Sequence, residues 1–108
     1  MRKIIDYCRR IEDNLTRFGH SYELFQTDYL FQDACCMCIV QIGELVGLLS
    51  EEIKLQNAQI PWRVIKDARN FYVHNYGSID VKTVWETMTD DIPGLSDACR
   101  KILAQRED

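Results

Sequence analysis

The string DYLFQDACCMCIVQIGELVGLLSEEIK, residues 28–54, carries the reading of the fold. Within it Leu30, Ala34, Met37, Cys38, Gln41, Ile42, Leu45, Leu48 and Leu49 fall three and four apart, the spacing that lines side chains along one face of a helix. Asp28, just ahead of the run, suits an N-cap, because its carboxylate can accept from the first unpaired backbone N–H groups. The spacing therefore predicts one core helix from Asp28 to about Lys54. Gly43 and Gly47 interrupt it one turn apart. Each disfavours a helix interior by about 1 kcal/mol relative to alanine, so the pair predicts a backbone or bulky side chain approaching closely there, a packing role.

Working outward, Ile4, Ile5, Cys8, Ile11, Leu15 and Phe18 make an amphipathic stripe from Arg2 to Phe18 that Gly19 ends. Ser21 suits the cap of a short turn bearing Tyr22, Leu24 and Phe25. Beyond the core helix, the polar stretch Leu55 to Ile60 breaks the pattern. Pro61 then fits a first helical position, where its missing N–H is no loss. The helix it opens is expected to run to His74 and stop by Gly77. Asp80 opens a last helical region with Val81, Val84, Trp85 and Met88 inward, continued by Leu95, Cys99, Ile102 and Leu103. Pro93 is expected to kink or restart it, with Asp91 as a new cap. No strand-like alternation of useful length, repeat or low-complexity segment interrupts this pattern. The expectation is an all-α bundle of four to five helices, one domain over residues 1–108.

Charges recur every few residues after the start at Met1, so neither a signal peptide nor a membrane span is expected, and the protein is read as cytoplasmic. The five cysteines, at 8, 35, 36, 38 and 99, are odd in number and lack paired CxxC spacing. They read as reduced, buried thiols that form neither a disulfide framework nor a zinc site. Met37 and Met88 are read as core. A net charge of −4 gives no global field for nucleic acid, so any RNA contact must be local. A chain of 108 residues buries only about two-thirds of its unfolded surface, and association with a copy or partner is expected.

Of the two histidines, His20 follows Gly19 in a loop and reads as incidental surface. His74 belongs to Arg69-Asn70-Phe71-Tyr72-Val73-His74-Asn75-Tyr76, which assembles groups suited to phosphate chemistry. A guanidinium grips phosphate with two donors, an imidazole with a pKa near about 6.5 moves protons, and a phenol stands beside them. On an unbroken helix Arg69 and Tyr76 lie within roughly 20° of each other, but His74 lies about 140° from Arg69. Either the helix ends before His74, or a second copy completes the site across a two-fold axis. A structural role, with Arg69 paired to an acid and His74 at a helix end, fits the same residues.

Arg69-Asn70, three residues, His74, one residue, Tyr76 resembles the signature of the HEPN ribonucleases, and of the HepT toxins in particular. Gln41 to Leu45, Ile60 to Arg63, Ala68 to Asn70, Val84 to Thr87 and Asp91 to Leu95 stand in the order such chains show, so the resemblance covers nearly the whole domain. Many relatives carry glycine where this chain has Asn75, a residue that tolerates left-handed backbone better than most.

The resemblance implies RNA cleavage without metal or cofactor, by attack of the substrate's own 2′-hydroxyl. His74 would move a proton, Arg69 would stabilise the phosphorane, and Asn70 would orient the phosphate or His74. It further implies an MNT-type nucleotidyltransferase antitoxin that transfers AMP to Tyr76, while a homodimer is expected from the angular mismatch between Arg69 and His74 and from the short chain. Arg63 and Lys66, with Arg69, recur every three residues and read as phosphate contacts, against the alternative of a solvated face neighbouring Asp67. The rival reading is a non-catalytic HEPN subunit that binds a nucleotidyltransferase and its nucleotide or substrate.

Overall fold

A computed structural model describes residues 1–70, 72–73 and 78–107. The first helix, α1 (Arg2–Arg17), buries Ile4, Ile5, Cys8, Ile11 and Leu15, the stripe expected from spacing. It ends in two left-handed residues, Gly19 at φ 68° and His20 at φ 54°. The His20 N–H closes the end by donating to Leu15 O at 2.8 Å. Ser21 caps α2 (Tyr22–Thr27) by accepting from the Leu24 N–H. Asp28 caps α3 (Tyr29–Gly47) by accepting from Leu30 and Phe31.

Helix α3 is the core of the bundle, packed against α1, α2 and the later helix α5 (Trp62–Asp67). It is shorter than the spacing implies. The chain leaves the helix after Gly47 and restarts at α4 (Glu51–Gln56), where the Ser50 hydroxyl accepts from the Ile53 N–H and Glu51 and Glu52 occupy the first turn. Acidic residues there meet the positive end of the helix dipole, so a local signal for a new helix overrides the apolar run through Leu48 and Leu49. The inward face also differs. Phe31, Cys35, Cys38, Ile39, Ile42 and Val46 are buried, whereas Leu30 is 77% exposed and Met37 45%. Met88 is buried as expected, and Met37 is not. By length and composition α3 passes for a membrane span, because its charges are sparse. Half of that stretch is nonetheless buried within the bundle.

An aromatic cluster locks α1, α2, α3 and α6 (Val81–Glu86) together. Phe31, fully buried, stacks on Phe18 at 4.4 Å and meets Phe25 edge-on at 5.0 Å and Trp85 edge-on at 6.2 Å. Next to it Gln32, also buried, donates from Nε2 to Phe25 O at 2.6 Å. That bond satisfies a carbonyl at the end of α2 that burial would otherwise leave unpaired.

Asp80 caps α6 by accepting from the Thr83 N–H. Beyond it the rod neither breaks nor takes a new cap at Asp91. It passes through a π-helical turn, Thr87–Asp91, into α7 (Ile92–Glu107), the Ile92 N–H donating five residues back to Thr87 O. Pro93 has no N–H for the carbonyl of Thr89, and in α geometry its ring would press on that oxygen. The wider turn just before it accommodates both constraints. Asp91 is half-buried in this turn, and desolvation first, then the neighbouring Asp90, push its carboxyl above the usual range.

All five cysteines are buried and free. Burial pushes the thiols of Cys8 and Cys35 up to about 12, and those of Cys36 and Cys99 up to about 11. They are small apolar side chains in this core. The expected all-α bundle is the fold found.

Candidate active site around Arg69

Trp62 opens α5 (Trp62–Asp67), with Pro61 one position earlier than expected, at the cap. The buried Trp62 ring donates from Nε1 to Asn57 O at 3.0 Å and Lys54 O at 3.2 Å. That tie fixes α5 to the end of α4, and the buried Ile65 and Ala68 hold it on the core. Its C-terminal end lies over α3 at Gly43. A Cβ on Gly43 would stand 3.1 Å from Lys66 O, 3.1 Å from Arg69 Cβ and 3.4 Å from Arg69 Cδ. The close approach predicted from Gly43 is therefore real, and the group that approaches is Arg69 itself. At Gly47 the neighbour is Lys66, whose Cε would be 3.6 Å from an added Cβ.

The helix expected to continue to His74 ends at Asp67 instead. The Asn70 N–H closes a tight turn onto Asp67 O at 2.9 Å. Tyr72–Val73 (β1) then pairs antiparallel with Ser78–Ile79 (β2), Tyr72 opposite Ile79 and Val73 opposite Ser78. Asn70 competes for backbone hydrogen bonds and favours turns, and Tyr72 and Val73 are aromatic and β-branched side chains that lose rotamer freedom in a helix and favour extended backbone. Angles computed on an unbroken helix consequently do not apply. Of the two alternatives, the helix ends before His74, and the angular argument for a second copy goes with the unbroken helix. His74, Asn75, Tyr76 and Gly77 lie outside the described residues.

Arg69 is one-third exposed and donates from Nη1 to Glu44 Oε1 at 3.1 Å, across 25 residues of sequence. The bond uses one of the five N–H groups of a guanidinium. Glu44 is a residue that sequence reasoning passed over as a partner. Glu44 stands directly after the glycine whose role was legible, but no local pattern in the sequence pairs it with Arg69. The structural alternative for Arg69, an ion pair, is thus realised together with its placement at the end of the motif segment. Asn70 is exposed.

Arg69 lies past the end of α5 and pairs with Glu44 on α3, while the Lys66 side chain lies along α3 at Gly47. Arg63 is 94% exposed with its Nε 3.8 Å from Asp67 Oδ2, and Lys54 lies 3.8 Å from Glu51 Oε1 along the same groove. Acids are interleaved with bases there, which weakens the field any phosphate would meet. Among the described residues no group of three or more His, Cys, Asp or Glu side chains is arranged to hold a metal ion.

A predominantly helical bundle thus seats Arg69 on its core helix at the end of a short crossing helix, with Asn70 exposed beside it. Residues 4–102 match the family model described as ribonuclease HepT-like. A protein of Caldanaerobacter subterraneus with a provisional RNase name is 29% identical, over 82% of this chain and 80% of its own. One of Thermococcus cleftensis with a provisional ribonuclease HepT name is 28% identical over 87% and 96%. One of Methanocaldococcus jannaschii, again provisionally named an RNase, is 30% identical over 81% and 75%. No solved structure matches the chain. The chain belongs to the HepT-like family.

Proposed function

We propose that this protein is a metal-independent endoribonuclease, the toxin of a HepT/MNT-type toxin–antitoxin pair acting in the cytoplasm as a homodimer. The observation that carries the reading is the seating of Arg69 on Gly43 at the head of the Arg69-Asn70…His74-Asn75-Tyr76 string. In this reading the 2′-oxygen of the substrate attacks the adjacent phosphorus and the bond to the 5′-oxygen breaks. His74 takes the 2′-hydroxyl proton or delivers one to the leaving oxygen, and Arg69 stabilises the charge that builds on the phosphorane. Asn70, exposed beside Arg69, orients the phosphate or His74, and Arg63 and Lys66 add phosphate contacts. The short chain and the apolar side chains left in solvent, Leu48, Leu55 and Val64 among them, support self-association.

Purified protein is expected to cut RNA in EDTA and leave 2′,3′-cyclic phosphate ends, with the His74→Ala variant inactive. Cleavage that vanishes in chelator and returns with magnesium would overturn the metal-free route. An intact His74→Ala activity would remove His74 from the chemistry.

Neutralisation is assigned to AMP transfer onto Tyr76 by an MNT-type nucleotidyltransferase, which would set a phosphate and a base where RNA should enter. Mass spectrometry of the protein co-expressed with such a partner is expected to map the adduct to Tyr76 and to lose it in Tyr76→Phe. An adduct on Tyr7, Tyr22, Tyr29 or Tyr72 would refute this assignment and leave the nuclease reading standing.

A further inference from the structure

We infer that Glu44 is a positioning residue for Arg69, an inference that rests on the nuclease reading above. Two contacts from consecutive α3 residues fix the arginine at two points. Gly43 lets the aliphatic stem lie against the helix backbone, with Cβ and Cδ within 3.4 Å of where a side chain would begin. Glu44 then holds the head through the 3.1 Å bond to Nη1. A long, flexible side chain is thereby ordered before substrate arrives, so its freedom is not lost at the moment of binding.

Stability does not account for the pair. The Glu44 side chain is 61% exposed and that of Arg69 32%, and ion pairs in that range add little to folding. The carboxylate also sits where its charge opposes an incoming phosphate. A residue kept only for binding would not be acidic. The arrangement has a distinctive signature: removing the carboxylate loosens the guanidinium and lowers kcat, while the loss of one negative charge leaves KM unchanged or lower.

Glu44→Ala is expected to lower kcat for RNA cleavage roughly ten- to a hundredfold, the range that small misplacements of a reacting group produce, with KM no higher than wild type. Glu44→Gln keeps an oxygen acceptor at the same reach and recovers part of the loss. Both variants should melt within a few degrees of wild type. A readout independent of cleavage is the Arg69 Nε–H resonance, identified by its loss in Arg69→Lys. It is expected to be dispersed in the wild type and to collapse to the free-arginine position in Glu44→Ala. A wild-type kcat in Glu44→Ala, or an unmoved Arg69 resonance, overturns the inference. Should the wild type fail to cut RNA, the resonance alone judges Glu44, and the nuclease reading falls separately.

Discussion

Arg69→Ala is expected to slow RNA cleavage by about two to three powers of ten, roughly 3–4 kcal/mol of lost transition-state stabilisation, with little change in folding. The size follows from what a fixed guanidinium does. It aims hydrogen-bond donors at oxygens that gain charge only as the phosphorane forms, so its loss appears in kcat more than in KM. The effect on stability is small because the ion pair to Glu44 is largely solvated and such pairs contribute about 0–1 kcal/mol. Arg69→Lys is the informative companion: it keeps the charge and loses the planar fork, and should recover only a minor part of the rate. Single-turnover cleavage of a short RNA with thermal melting of each variant checks both halves. An alanine variant that cuts within threefold of wild type would show that the guanidinium takes no part.

Phe31→Ala is expected to destabilise the fold by about 3–5 kcal/mol, a large share of the roughly 5–15 kcal/mol that holds a domain of this kind together. Phe31 is fully buried and its ring touches three others, so the change removes apolar burial, opens a cavity and deletes ring–ring contacts together. Phe31→Leu keeps most of the volume and should lose much less. Urea titration followed by tryptophan fluorescence suits the measurement, since Trp85 meets the Phe31 ring edge-on. A loss under about 1 kcal/mol would mean that the cluster does not organise the α1–α3 contact.

What the sequence revealed and concealed divides along the range of the interactions. The α1 stripe and the caps at Ser21, Asp28 and Asp80 were legible because each depends on residues within one turn of one another. Gly43 was legible for a related reason, since an unfavourable residue inside a helix demands a close neighbour. The neighbour's identity was not legible: Glu44 and Arg69 are 25 residues apart, and no local pattern pairs them. Helix α3 is apolar nearly all round, so periodicity did not choose its inward face and placed Leu30 and Met37 wrongly. The break before Ser50 was masked by Leu48 and Leu49, which continue the apolar run across it. The end of α5 was hidden because an apolar stretch as short as Phe71 to Val73 has no period long enough to separate helix from strand. The catalytic reading came from the motif string, and Arg69 and Asn70 are the members of it whose surroundings the structure supplies.

The seat at Gly43 also bears on how this protein could be improved. Glycine inside a long helix is the first position an engineer would fill, since alanine there is worth about 1 kcal/mol of helix stability. Here the added methyl would press on Lys66 O and on Arg69 Cβ, both 3.1 Å away, and α5 would have to ride outward by a few tenths of an ångström. The guanidinium would be carried with it. Thermal robustness and turnover thus draw on the same few atoms of the α3–α5 crossing, and selection for one is constrained by the other.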